Sequence, residues 1–313
     1  MMRRIIVLFA LISTQMGAIR AQWDVQFSDF TALKSYYNPA ASGTDGLLNV
    51  AAAYSMQMLG YEHSPQTMFA GADSPIYFMS PRHGAGLNIL SDQLGIFNTM
   101  RLNVQYAYNM KMGDKGRLAI GVQGGLITEK IDPKGLELET QNDPAFPSSA
   151  VSAEHFDLAA GLYFYHPQLW MGLSAMHLMA PTLVMNEKYE VHVPMSFYFM
   201  TGGNIKLKNT LLTLQPAFML MTDLLSWRED IQCKAIYEYD EKKLYIGLGY
   251  SPRISTTFMV GGMFHGIKVG YSYQMYTSGV SMINGSHEIA LGYQTDLDLF
   301  KKGRNKHKSV RWL

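Results

Sequence analysis

Residues 100–112 read Met100-Arg101-Leu102-Asn103-Val104-Gln105-Tyr106-Ala107-Tyr108-Asn109-Met110-Lys111-Met112, and every even position is large and apolar or aromatic. Every odd position is polar, charged or small. A period of two belongs to a strand whose two faces meet different surroundings. The run covers thirteen residues, well past the usual strand length of roughly five to six. Length and alternation together point to a strand that crosses something rather than one that covers a core.

Working outward from this stretch, the pattern recurs. Leu48, Val50, Ala52, Tyr54, Met56 and Met58 alternate with Asn49, Ala51, Ala53, Ser55 and Gln57. Phe156, Leu158, Ala160, Leu162 and Phe164 alternate with Asp157, Ala159, Gly161 and Tyr163. Ile231, Cys233, Ala235, Tyr237 and Tyr239 alternate with Gln232, Lys234, Ile236 and Glu238. The reading gives fourteen strands, at 46–59, 64–78, 84–93, 98–112, 116–131, 154–165, 169–179, 194–207, 210–223, 228–239, 243–252, 255–264, 266–276 and 286–296. An even number suits a bacterial membrane barrel with its N-terminus in the periplasm. The connections then sort by length. Gly113-Asp114-Lys115, His166-Pro167-Gln168 and Asp240-Glu241-Lys242 are periplasmic turns, while the three longest links, 132–153, 180–193 and 277–285, fall on the outer side. The fold class expected is all-β, a transmembrane antiparallel β-barrel of about 14 strands.

A β-sandwich also alternates, but strand length speaks against it. Membrane helices are excluded, because no apolar run reaches the roughly 20 residues a helical span needs. Charged residues make up only 16% of the chain, with 19 Tyr and 28 Gly, whereas soluble domains average about 25% charged. Sparse charge with abundant Tyr suits a barrel with aromatic girdles.

Four regions follow. Residues 1–21 read as a signal peptide, with Arg3 and Arg4 before the apolar run 5–12 and small residues at Ala18 and Ala21. Residues 22–45 do not alternate and form an N-terminal arm carrying Trp23, Phe27, Phe30, Tyr36 and Tyr37. The arm is expected on the periplasmic side or folded into the barrel mouth, with its aromatics as candidate partner-binding residues. Residues 46–296 are the barrel. Residues 297–313 form a basic periplasmic tail, whose Lys301, Lys302, Arg304, Lys306, Lys308, Arg311 and Trp312 are candidates for docking an acidic partner or lipid headgroups. The tail is electrostatically separate, since residues 22–300 carry 17 basic against 25 acidic side chains.

Chemistry is sparse. Cys233 is the single cysteine, so no internal disulfide and no cysteine-based metal site is expected. The nine histidines are scattered, and His83-Gly84-Ala85-Gly86 is not followed by a helix as a dinucleotide fingerprint requires. Ser286-His287-Glu288 holds triad residue types, but neighbours in a strand point to opposite faces. No catalytic residue, cofactor, metal or nucleic-acid partner is expected. A diffusion porin and an outer-membrane enzyme stay as alternatives. The methionines, Met56, Met58, Met110, Met112, Met219 and Met221 among them, are expected mostly at outward parity, against lipid.

Several segments carry a resemblance. Gln26-Phe27-Ser28 leads to Tyr37-Asn38-Pro39-Ala40-Ala41-Ser42-Gly43. Further on come Gly86-Leu87-Asn88 with Asp92 and Gly95, then Tyr106-Ala107-Tyr108. Phe156-Asp157-Leu158-Ala159-Ala160-Gly161-Leu162-Tyr163, Gly172-Leu173-Ser174 and Ser286-His287-Glu288-Ile289 follow in order. In this series the chain resembles the PorP/SprF family, most like its PorP branch. The closing Ser309-Val310-Arg311-Trp312-Leu313 is similar too, with Val310 departing from the family's proline. The resemblance implies an outer-membrane barrel of the type IX secretion system of Bacteroidota. It implies a role in export and surface attachment of cargo proteins with C-terminal sorting domains, and of adhesins in gliding bacteria. The partners it implies are periplasmic ring proteins of PorK and PorN type.

Overall fold

The computed structural model describes residues 24–60, 64–76, 82–133, 147, 149–186, 189–208, 210–240, 242–277 and 285–296. The first half of the chain supplies β1 (Leu48–Met56), β2 (Gln66–Pro75), β3 (His83–Leu94), β4 (Phe97–Met112), β5 (Gly116–Ile131), β6 (Val151–His166) and β7 (Leu169–Met176). A small hairpin follows, β8 (Thr182–Met185) and β9 (Tyr189–His192). Then come β10 (Ser196–Gly203), its continuation β11 (Ile205–Lys206), β12 (Leu212–Thr222) and β13 (Trp227–Tyr239). The last strands are β14 (Lys242–Ser251), β15 (Ser255–Phe264), β16 (Ile267–Tyr276) and β17 (Ser286–Thr295).

Each strand from β1 to β7 pairs antiparallel with the next, as does each from β12 to β17. β17 pairs with β1, and β10 bridges β7 to β12. The sheet therefore closes on itself and has no free edge. With β10 and β11 counted as one stave, the barrel has fourteen, as the alternation predicts. The β8–β9 hairpin lies outside the ring and packs Met185 against Ile131 and Val151. The sequence places this hairpin inside the 180–193 link, because four-residue strands are too short to show a period.

The faces divide as the sequence implies. Along β4, Met100, Leu102, Val104 and Tyr106 are exposed on the outside, while Gln105, Ala107 and Asn109 are buried inside. Tyr106, Tyr237, Tyr239 and Tyr293 stand on the outer surface toward the short-turn end, and Tyr54, Trp227, Tyr250 and Tyr271 toward the other. Two aromatic belts flanking an apolar band are the mark of a barrel that sits in lipid. By the rule for bacterial barrels the short-turn end faces the periplasm. Val104 lies mid-strand with 61% of its surface exposed. Val104→Arg is expected to lower folding stability in phospholipid vesicles by about 2–4 kcal/mol, read from the urea midpoint.

The methionine expectation needs correction. Met219 and Met221 of β12 point inward and are each 1% exposed, with Met200 of β10 beside them. β12 is apolar on both faces, so alternation there carries no sign. What decides the side is the content of the lumen, which presents apolar surface to this wall.

Candidate functional site

The lumen is occupied by the N-terminal arm. From Asp24 the chain passes through a short helical turn at Phe30–Ala32, a second at Lys34–Tyr37 and a third at Pro39–Ala41, then joins β1. Phe27, Phe30, Tyr36 and Tyr37 are all buried, packed with Phe69, Trp170, Tyr198, Met200, Met219 and Met221 of the wall. Phe27 meets Tyr36 and Phe69 edge-on, and Tyr36 meets Tyr37 the same way, a geometry aromatic pairs favour. These four aromatics thus pack against the barrel wall. Trp23 and the whole tail, with Lys301, Lys302, Arg304, Lys306, Lys308, Arg311 and Trp312, lie outside the described residues.

Small wall residues make the seat. Gly121 of β5 stands opposite Gly161 of β6, which stands opposite Ser174 of β7. A Cβ at Gly121 would lie 2.3 Å from the Ala40 nitrogen, and one at Gly161 would lie 2.2 Å from Asn38 Oδ1. Only glycine lets the arm backbone approach so closely. Into this seat Asn38 donates from Nδ2 to the carbonyls of Leu162 and Leu173, at 2.9 and 3.1 Å. Its Oδ1 accepts from Ala40 N–H at 2.9 Å and caps the third turn. Ser174 Oγ donates to the Tyr37 carbonyl at 2.6 Å, and Gln105 Nε2 donates to the Ser35 carbonyl at 2.7 Å. The Asn-Pro-Ala-Ala-Ser-Gly stretch is therefore a docking sequence, and its partner is the barrel itself.

Charge fastens the arm at two further places. Lys234, mid-strand on β13, donates to both Asp29 oxygens at 2.6 Å and to Thr31 Oγ1 at 2.7 Å. Glu288 of β17 accepts from the backbone N–H groups of Ser28 and Asp29 at 2.7 and 3.3 Å. Toward the long-loop end, Asp24 takes Arg101 at 2.5 Å, His177 at 3.2 Å and the Tyr198 hydroxyl at 2.9 Å. His177 also meets Asp157 at 2.5 Å. Burial alone would push the Asp24 carboxyl up, but the charges of Arg101 and His177 outweigh it and hold Asp24 below the usual carboxylate range. Burial likewise opposes a charged His177, and Asp24 overcomes it and raises the imidazole above its ordinary value. These groups form a lock of ion pairs and hydrogen bonds. Among the described residues no set of three or more His, Cys, Asp or Glu is arranged to hold a metal. The lock leaves no local signal in the sequence, because Asp24 and its partners are 77 to 174 residues apart.

The chain matches the family described as "Type IX secretion system membrane protein PorP/SprF" over residues 19–293. No curated protein matches it. Among solved structures it is similar to a Pseudomonas aeruginosa FadL homologue, with a TM-score of 0.51 at 10% identity, over 84% of this chain and 93% of that one. It is also similar to the CymD monoaromatic hydrocarbon channel, with a TM-score of 0.50 at 10% identity, over 88% and 94% of the two chains. At such identities the likeness shows a common barrel fold. The protein is an outer-membrane β-barrel, and with the match running through the arm and nearly all the barrel it belongs to the PorP/SprF family of type IX secretion system membrane proteins.

Proposed function

We propose that this barrel works as a membrane anchor of the type IX secretion system rather than as a passage. It holds periplasmic ring proteins of PorK and PorN type at the short-turn face, in support of export or surface attachment of cargo with C-terminal sorting domains. The observation that carries the reading is the occupied lumen. The arm is bonded to the wall from β2 round to β17, and its aromatics pack against Phe69, Trp170, Tyr198 and Met219 from several sides of the lumen. The work of the protein then falls to its rims and its tail. No reaction chemistry enters this reading; the ion pairs inside the barrel hold the arm.

Deleting residues 297–313 tests the tail. Secretion of cargo is expected to fall to background while heat-modifiable, folded barrel remains in the outer membrane. Normal secretion by the truncated protein overturns docking through Lys301, Lys302, Arg304, Lys306, Lys308, Arg311 and Trp312.

A further inference from the structure

The periplasmic mouth of the lumen collects basic side chains, and the arm's Asp45 sits among them, accepting from Asn49 and, at 3.1 Å, from Gln294. Lys111 continues the inward parity of Gln105, Ala107 and Asn109 along β4 and is exposed. Directly across from it on β5 stands Arg117. Two like charges in opposed positions on one face repel each other. On the other side of the mouth the inward row runs Glu238, Lys243, Met263, Lys268 and Gly292 across β13 to β17. Lys243 pairs with Glu238 at 3.1 Å. Lys111, Arg117 and Lys268 have no ion-pair partner among the described residues. Arg117 instead donates to the Thr44 carbonyl at 2.7 Å, where the arm leaves the lumen.

Against Asp45 and Glu238, the four bases Lys111, Arg117, Lys243 and Lys268 leave the mouth a net positive cup whose floor is the arm. We infer that this cup receives an acidic segment of a periplasmic protein. The inference rests on the reading of the short-turn face as the docking face, and it assigns the chemistry of what docks there. Charge complementarity sets the sign of the occupant. Position decides between the sources of negative charge. Inward parity puts Lys111, Arg117 and Lys268 behind the barrel wall, out of reach of lipid headgroups, which ring the outside. The chain's own tail is excluded by its sign, since residues 301–313 hold six basic and no acidic side chains. The occupied lumen stops the segment at the mouth, so the cup binds and does not conduct.

The test uses the whole protein in nanodiscs of phosphatidylcholine, with a fluorescent deca-glutamate peptide as probe and anisotropy as the readout. Binding is expected, weakening as salt rises. Lys111→Glu with Lys268→Glu is expected to weaken it about tenfold or more, because reversed charges repel the same ligand. Lys111→Arg with Lys268→Arg, which keeps the charge, is expected to restore it. A control reversal at the opposite end, Lys130→Glu, is expected to leave binding unchanged. Equal binding by the Lys111→Glu, Lys268→Glu protein overturns the inference. So does loss of binding only on deleting 297–313, or displacement of the peptide by phosphatidylglycerol in the disc. Because the readout is purified protein and peptide, a failure here leaves the secretion result of the tail deletion standing, and the reverse holds.

Discussion

Protein lacking residues 24–42 is expected to give long-lived ionic steps in planar bilayers where the intact protein is silent. A barrel of about eight strands is filled by its own side chains, and one of 16–18 strands leaves an aqueous channel. Fourteen staves lie between these limits, so what occupies the lumen decides the matter. Here the wall opposite the arm is built of Ala119, Gly121, Ala159 and Gly161. These residues are too small to fill the space themselves once Phe30, Tyr37 and Ala40 are gone. A point substitution tests the same idea with the arm retained. Gly121→Ala places a methyl 2.3–2.4 Å from the Ala40 backbone, and such overpacking costs about 1–3 kcal/mol. The arm is the part free to move, since the wall is held by ladders on both sides. Flickering conductance from Gly121→Ala and sustained conductance from the deletion are expected. A deletion protein that folds and stays silent would show that the wall collapses inward to close the lumen.

Lys234→Met is expected to cost about 3–5 kcal/mol, because it leaves Asp29 buried without its counter-charge. The side chains of Lys234 and Asp29 are only 7% and 4% exposed, so water does not replace the lost partner. Glu288 already accepts from the neighbouring N–H groups, so it offers the orphaned Asp29 no replacement for Lys234. The double variant Lys234→Met, Asp29→Leu is expected to recover most of the loss, since apolar residues of similar size often equal or exceed a buried ion pair. The urea midpoint of the vesicle-inserted barrel reads both. A single variant as stable as the parent would mean that the arm leaves the lumen and carries Asp29 into water.

The staves were legible because each has lipid on one side and a polar or small-residue lining on the other. Lys234, Gln232 and Gln105 sit where the period of two puts them. Legibility failed where that contrast fades. Met219 and Met221 line an apolar patch of the lumen opposite the arm, so both faces of β12 read alike. The arm itself has no period, and its partners are remote: Asn38 bonds to Leu162 and Leu173, 124 and 135 residues further on. From sequence, the aromatics of the arm demand burial without saying where. The structure supplies the address: Phe27, Phe30, Tyr36 and Tyr37 are buried against the barrel wall.

The arm also has a place in the order of assembly. It is made before any stave, and staves early and late are bonded to it: Asp73 of β2, Gln105 of β4, Ser174 of β7, Lys234 of β13 and Glu288 of β17. A slip of one residue in any of these strands would turn its polar partner out to lipid and present an apolar side chain in its place. The N-terminal segment therefore acts as a gauge around which the ring is measured. The last strand meets both the first strand and the arm, Glu288 lying opposite Ser55 and gripping Ser28. Closure and correct register are then checked by the same contacts, in one step.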